Sequence, residues 1–348
     1  MKKHLLTAAA VVLVCAGLLT GCGGDNTKTE EGMQQISALQ YANALVLFDE
    51  AESQGENARL IARGRGIAYL GQARYSEAAD CFLLSLSLSN GFVQDMDIDI
   101  NFYLAECYIG MGDYEAAEDT YTAILGLYEK PQSYFLRGNV RLLQGSVTAA
   151  QDDFNHAVEM APKDVDMIIN IFEALQKNGY RENGLEYLDN ALAKYENSMS
   201  ALNRGRIYYY KEEYQTAAIA LEEARNADND SSEASLYLGM TYEAVGENNY
   251  ASNVYESYLA RNPKDALVHN QLAVCKMKLG DYQGALASIQ EGMQVGNMSV
   301  MQNLAFNEII IYEYLGEFQK AEALMSAYLE AYPSDEAAVR EQIFLNTR

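Results

Sequence analysis

"LGMTYEAVGENNYASNVYESYLARNP", residues 238–263, decides the fold. Leu238, Gly239 and Tyr242 recur at helical spacing, Gly246 interrupts the run, and a second stripe passes through Ala251 and Tyr255 to a stop at Pro263. Such a pattern specifies two short helices joined by a tight turn. Gly239 and Ala251 have little or no side chain, so the helices can approach closely, and Tyr255 is large enough to fill the gap to a neighbouring hairpin.

Outward from this stretch the turn recurs. Gly112-Asp113-Tyr114, Gly145-Ser146-Val147, Gly179-Tyr180-Arg181, Gly246-Glu247-Asn248, Gly280-Asp281-Tyr282 and Gly316-Glu317-Phe318 follow one another at steps of 33, 34, 67, 34 and 36. The long step hides Glu212-Glu213-Tyr214, with Glu in the Gly position, and two earlier copies centre on Tyr41 and Tyr75. The unit resembles the tetratricopeptide repeat, a helix-turn-helix of about 34 residues reading W-x2-L-G-x2-Y, then A-x3-F, then P. The opening stretch supplies Leu238-Gly239-x2-Tyr242, Ala251-x3-Tyr255 and Pro263. Other copies keep Ala78-x3-Phe82, Ala117-x3-Tyr121, Ala150-x3-Phe154, Ala217-x3-Leu221 and Ala321-x3-Met325 with Pro333. The fourth copy has a charged first half, Arg137-Gly138-x2-Arg141. The fifth departs furthest, with Phe172 where a small residue belongs and Gly184 for the second-helix Ala, and its helices are expected to stand further apart.

The resemblance implies an all-α fold, a tetratricopeptide-type α-solenoid of helix-turn-helix repeats wound as a right-handed superhelix. About nine repeats would occupy residues 32–334, closed by a C-terminal capping helix over 335–348 with Asp335 as its N-cap. No single hairpin can bury its apolar face, so stability must come from stacking. Four Pro, no Trp and 26 Tyr agree with long helices and aromatic packing.

The N-terminus reads differently. "MKKHLLTAAAVVLVCAGLLTGCGG" places Lys2 and Lys3 before an apolar run from Leu5 to Leu19, shorter than the roughly 20 residues of a membrane span. Leu19-Thr20-Gly21-Cys22 resembles the lipobox of bacterial lipoproteins. That resemblance implies a signal peptide over 1–21, a diacylglyceryl (palmitate-bearing) anchor on Cys22 and attachment to the cell envelope membrane after export. Residues 22–31, polar and Gly-rich, read as a flexible tether.

Charge excludes one class of partner. With 25 basic and 49 acidic residues the formal charge is -24, so nucleic acid would be repelled. Asp95, Asp97, Asp99 and Glu106 stand at the spacing of an EF-hand loop, but the sharp-bend position is Ile100 and the helical stripe of Leu104, Ala105 and Tyr108 has already begun. The reading is against calcium and for carboxylates at a helix N-terminus, in a loop about five residues longer than the repeat requires. His156 and His269 lie on different repeats without metal-spaced partners, and no catalytic constellation or cofactor motif is present, so the chain is read as a non-enzyme. Cys81 and Cys107 fall on adjacent hairpins; buried thiols are favoured, with a disulfide left open.

Function therefore falls to the surface. Positions offset by about 100° from the packing stripe of each first helix should line the concave groove. The rule selects Phe102, Phe135, Asn139, Arg206, Tyr209, Tyr237, Asn270 and Phe306, together with Glu106, Glu173 and Glu313. The expected function is a scaffold or assembly factor binding a protein or peptide there; the other class is capture of a small ligand such as a glycan.

Overall fold

A computed structural model describes residues 26–332 and 335–347. The segment read as a signal peptide, Cys22 and Pro333 lie outside the described residues. These residues form nineteen α-helices and a short 3-10 turn at Glu196–Ser198, without a strand among them.

Two compact units divide the chain after Met160. The first holds four hairpins: α1 (Thr27–Ser37) with α2 (Tyr41–Ser53), α3 (Ala58–Gly71) with α4 (Tyr75–Ser87), α5 (Asp95–Met111) with α6 (Tyr114–Leu127), and α7 (Pro131–Leu143) with α8 (Val147–Met160). In the second, α9 (Val165–Lys177) pairs with α10 (Arg181–Tyr195), α11 (Ala201–Tyr210) with α12 (Tyr214–Ala227), and α13 (Ser232–Ala244) with α14 (Asn248–Leu259). It continues with α15 (Ala266–Lys278) and α16 (Tyr282–Val295), then α17 (Met298–Tyr314) and α18 (Phe318–Ala331), and ends in α19 (Glu336–Leu345). Each unit is an all-α stack of tetratricopeptide type.

The turns repeat one geometry. Each of the nine hairpins breaks at a residue in the left-handed region: Gly in six, and Leu39 (φ 57°), Ala73 (φ 56°) and Glu212 (φ 64°) in the others. The next N–H then reaches back five residues, Asp281 to the Lys276 carbonyl at 2.9 Å and Glu213 to Tyr208 at 2.9 Å, which closes the helix end. Asp113, Asp281 and Asp335 next cap the following helices with side-chain carboxylates.

Inside a hairpin, an aromatic ring takes the space that a glycine leaves. A Cβ on Gly66 would lie 2.5 Å from Phe82 and one on Gly138 2.5 Å from Phe154, while one on Gly239 would fall onto the Tyr255 ring. These rings thus fill their own hairpin first. Phe82 also reaches the next one, stacking on Tyr103 at 5.4 Å.

Three expectations need correction. The fifth hairpin is not spread: a Cβ on Gly184 would meet the Phe172 Cα at 3.2 Å and its carbonyl oxygen at 3.1 Å. The large and small residues have exchanged helices, so α9 and α10 still approach closely. Residues 27–31, read as part of a flexible tether, are helical: α1 begins at Thr27 and buries Thr29, whose N–H and hydroxyl both donate to the Glu56 carboxylate. Finally, the acidic stretch is helix from Asp95 onward, and only residues 88–94 form the lengthened loop. Asp97 closes a capping box with Gln94 and pairs with Arg59, while Asp99 pairs with Arg63. These two carboxylates are committed to arginines of the preceding hairpin.

Candidate partner-binding surface

In the first unit α1 touches α3 and α3 touches α5, and in the second α9 touches α11, α11 touches α13, α13 touches α15 and α15 touches α17. The first helices therefore make the tighter, inner wall. Side chains on that wall are the candidates for recognition.

In the second unit the wall is organised around Arg206. Ser200 caps α11 by accepting from the Asn203 N–H at 3.1 Å, which fixes where the helix begins. Two turns on, Arg206 is 8% exposed, and its Nη2 donates to Asp166 of α9 at 2.5 Å while Nη1 lies 3.1 Å from Glu233 of α13. Its guanidinium also sits 5.4 Å above the Tyr237 ring. One cation thus ties three first helices together.

Beside it lies a tyrosine cluster. The ring of Tyr209 is 5.5 Å from Tyr210, 5.6 Å from Tyr237 and 6.0 Å from Tyr214. Tyr210 meets Phe172 edge-on at 5.8 Å, and its hydroxyl is 3.3 Å from that of Tyr237. Burial pushes the Tyr209 and Tyr210 hydroxyls well above the usual phenol range, so both remain protonated donors. Burial also raises the Glu173 carboxyl, against the hydrogen bond from Tyr210 and the charge of Arg206. The result is a half-buried aromatic surface with donors and carboxylates set among its rings.

Apart from the three glutamates, the eight residues selected from sequence do not all serve this surface. Arg206, Tyr209 and Tyr237 come together in the second unit. Phe102, Phe135 and Asn139 belong to the first. Phe102 is half-buried with its ring 6.1 Å from Tyr121. Phe135 is 9% exposed, 5.9 Å from the Phe154 ring, and is a core residue of its hairpin rather than a lining residue. Asn139 is half-buried, and its Oδ1 accepts from no donor. Asn270 is 8% exposed and accepts from Asn307 of α17 at 2.9 Å, so it joins first helices instead of facing a partner. Phe306 is half-buried and leans on Tyr328 at 5.6 Å.

Tyr210 was missed. The 100° rule assigns it to the flank of α11, but the contact with Tyr237 turns it toward the wall. The run Tyr208-Tyr209-Tyr210 was the signal available in the sequence.

Other chemistry-bearing residues are structural. His156 stacks on Tyr134 at 5.1 Å, and buried His269 donates from Nε2 to the Pro263 carbonyl at 2.9 Å. Cys81, Cys107 and Cys275 are free thiols, and burial pushes Cys107 and Cys275 up to about 12.

Among known proteins, the sequence profile of the tetratricopeptide repeat matches residues 103–165 and 236–292. The BBSome complex member BBS4 of Bos taurus is 20% identical over 267 residues, 65% of this chain and 51% of that protein. The chain spans about half the length of this curated relative. Among solved structures, a tetratricopeptide repeat protein from Parabacteroides merdae is similar at 13% identity and a TM-score of 0.45, covering 84% of this chain and 99% of that one. YrrB, described as a TPR protein with an unusual peptide-binding site, is 22% identical with a TM-score of 0.38 over 49% of this chain and 86% of its own. Over the two matched segments, hairpins of both units, this chain carries tetratricopeptide repeats.

Proposed function

We propose that this chain is an exported lipoprotein, anchored through Cys22, whose inner walls bind a protein or peptide in the cell envelope as a scaffold or assembly factor. The observation that carries the binding reading is the surface around Arg206, Tyr209, Tyr210 and Tyr237. Tyrosine gives a large contact area with little conformational freedom to lose, which suits it to anchor a partner, while buried Arg206 holds together the first helices that carry the rings. The rings meet edge to face, Tyr209 at 82° to Tyr210 and 78° to Tyr237, so neighbouring rings do not share one plane as in the flat platform on which a sugar ring stacks. Protein or peptide is favoured over glycan on that ground. The anchor reading is supported by the lipobox-like Leu19-Thr20-Gly21-Cys22.

The test is a cross-linked pull-down from detergent-solubilised native membranes, comparing the intact chain with a Tyr209→Ala, Tyr237→Ala variant of unchanged circular dichroism. One or a few proteins should be enriched by the intact chain and lost by the variant. Equal recovery by both forms would remove this surface as the binding site.

A further inference from the structure

Asn26, the N-cap of α1, follows Cys22 by four residues, and four residues of chain reach at most about 14 Å. If Cys22 carries lipid, as the reading above holds, the N-terminus of α1 cannot stand far from the bilayer. The inference that follows rests on that reading.

The edge of the first unit at which α1 starts is also the edge that carries its inter-hairpin loops. The Asn57 N–H donates to the Asn26 side chain at 3.2 Å, and the Lys28 N–H donates to Glu56 at 2.9 Å, so the first loop lies directly beside the start of α1. Arg59 next donates to Gln94 at 2.9 Å, which brings the second, lengthened loop alongside. With neighbouring helices about 10 Å apart, that loop is within about two helix spacings of Asn26.

This loop exposes what soluble loops usually hide. Phe92 is 78% exposed and Val93 61%, and at the third loop Tyr128 is 41% exposed next to Leu127, the last residue of α6, at 65%. Lys130 holds its ammonium 5.2 Å from the Tyr128 ring, the combination of an amphipathic ring and a snorkelling cation that suits a headgroup layer. The hairpin-turn edge of the same unit shows Leu39, Met111 and Leu143 at 42–45%, each flanking a turn singly.

We propose that the inter-hairpin edge of the first unit rests on the membrane, with Phe92 and Val93 entering its interface. Apolar contact drives this docking. Asp95 and Glu129 flank the two loops, so anionic lipid is not required.

The chain has no Trp, so a single introduced Trp reports its own surroundings. Full-length, acylated Phe92→Trp is reconstituted into phosphatidylcholine vesicles with and without doxyl-labelled phosphatidylcholine. Leu143→Trp, at the turn edge, is treated identically. Phe92→Trp should blue-shift on reconstitution and lose fluorescence to the doxyl lipid, while Leu143→Trp does neither. Mass spectrometry of the same samples reads the acyl chain on Cys22. An acylated Phe92→Trp chain whose fluorescence stays unquenched overturns the docking and leaves the anchor standing. A chain without acyl on Cys22 overturns both.

Discussion

Arg137 of α7 grips Asp153 of α8 in a fork, Nε to Oδ2 at 3.0 Å and Nη2 to Oδ1 at 2.7 Å, while Arg141 approaches the same carboxylate at 3.0 Å. Asp153 is 2% exposed, so one buried carboxylate answers both arginines that stand where the repeat places apolar residues. Arg141 also reaches Glu118 of the preceding hairpin at 2.8 Å. An ionic clasp has replaced part of the apolar seam of this hairpin.

Removing only the carboxylate should therefore be costly. Asp153→Ala leaves the Arg137 guanidinium without its carboxylate and Arg141 with Glu118 alone, with an expected loss of about 3–5 kcal/mol. Restoring the repeat pattern with Arg137→Leu, Arg141→Tyr and Asp153→Ala together should recover most of that loss. Urea midpoints of the three forms check this, and a mild single substitution would show that the clasp is dispensable.

The hairpin turns allow a prediction of opposite sign. Ala73 holds φ at 56° where six other hairpins use Gly, and an L side chain in that region costs roughly 1 kcal/mol. Ala73→Gly should raise the stability of the first unit, and Gly246→Ala should lower that of the second by a similar amount. Thermal melts of the two variants against the parent decide it; a lower midpoint for Ala73→Gly sinks the argument.

Acidity of the inner wall predicts a pH effect. Burial first, and the neighbouring Glu341 carboxylate second, raise Glu313 from 4.5 to about 7. The folded state thus holds this proton more tightly than the unfolded state does. Its contribution to stability is present below the unfolded value and is lost as pH rises toward about 7. The advantage of Glu313→Gln over the parent should grow between about pH 5 and pH 8 and then level off. A constant difference in melting temperature across that range would refute the assignment.

How much of this was legible depends on what each residue's environment required. Gly112, Gly145 and Gly246 announced their turns because a left-handed backbone selects for Gly. Leu39, Ala73 and Glu212 occupy the same conformation silently, and those hairpins were found only through Tyr41, Tyr75 and Tyr214. Helical period located Tyr209 and Tyr237 on the inner wall. It could not show that Phe135, at an equivalent position, packs on Phe154, because that ring comes from the second helix, where it fills the space over Gly138. Asp97 and Asp99 suggested a metal loop from spacing alone; Arg59 and Arg63, over thirty residues earlier, gave no local hint of the pairing.

The exchange of Phe172 and Gly184 can be tested as a pair. Phe172 is 1% exposed and meets Tyr210 edge-on, so Phe172→Ala should lose about 3–5 kcal/mol through the cavity it leaves. Gly184→Ala adds a Cβ only 3.0 Å from the Phe172 ring and should cost about 1–3 kcal/mol through overpacking. In the double variant the new methyl no longer meets a ring, although the α9 carbonyl at 3.1 Å still limits it. The two losses should then be clearly less than additive, as contacting sites are. Simple additivity in a double-mutant cycle would mean that the helices shift apart around the added methyl whatever stands opposite, and the close approach of this hairpin would not be set by the pair.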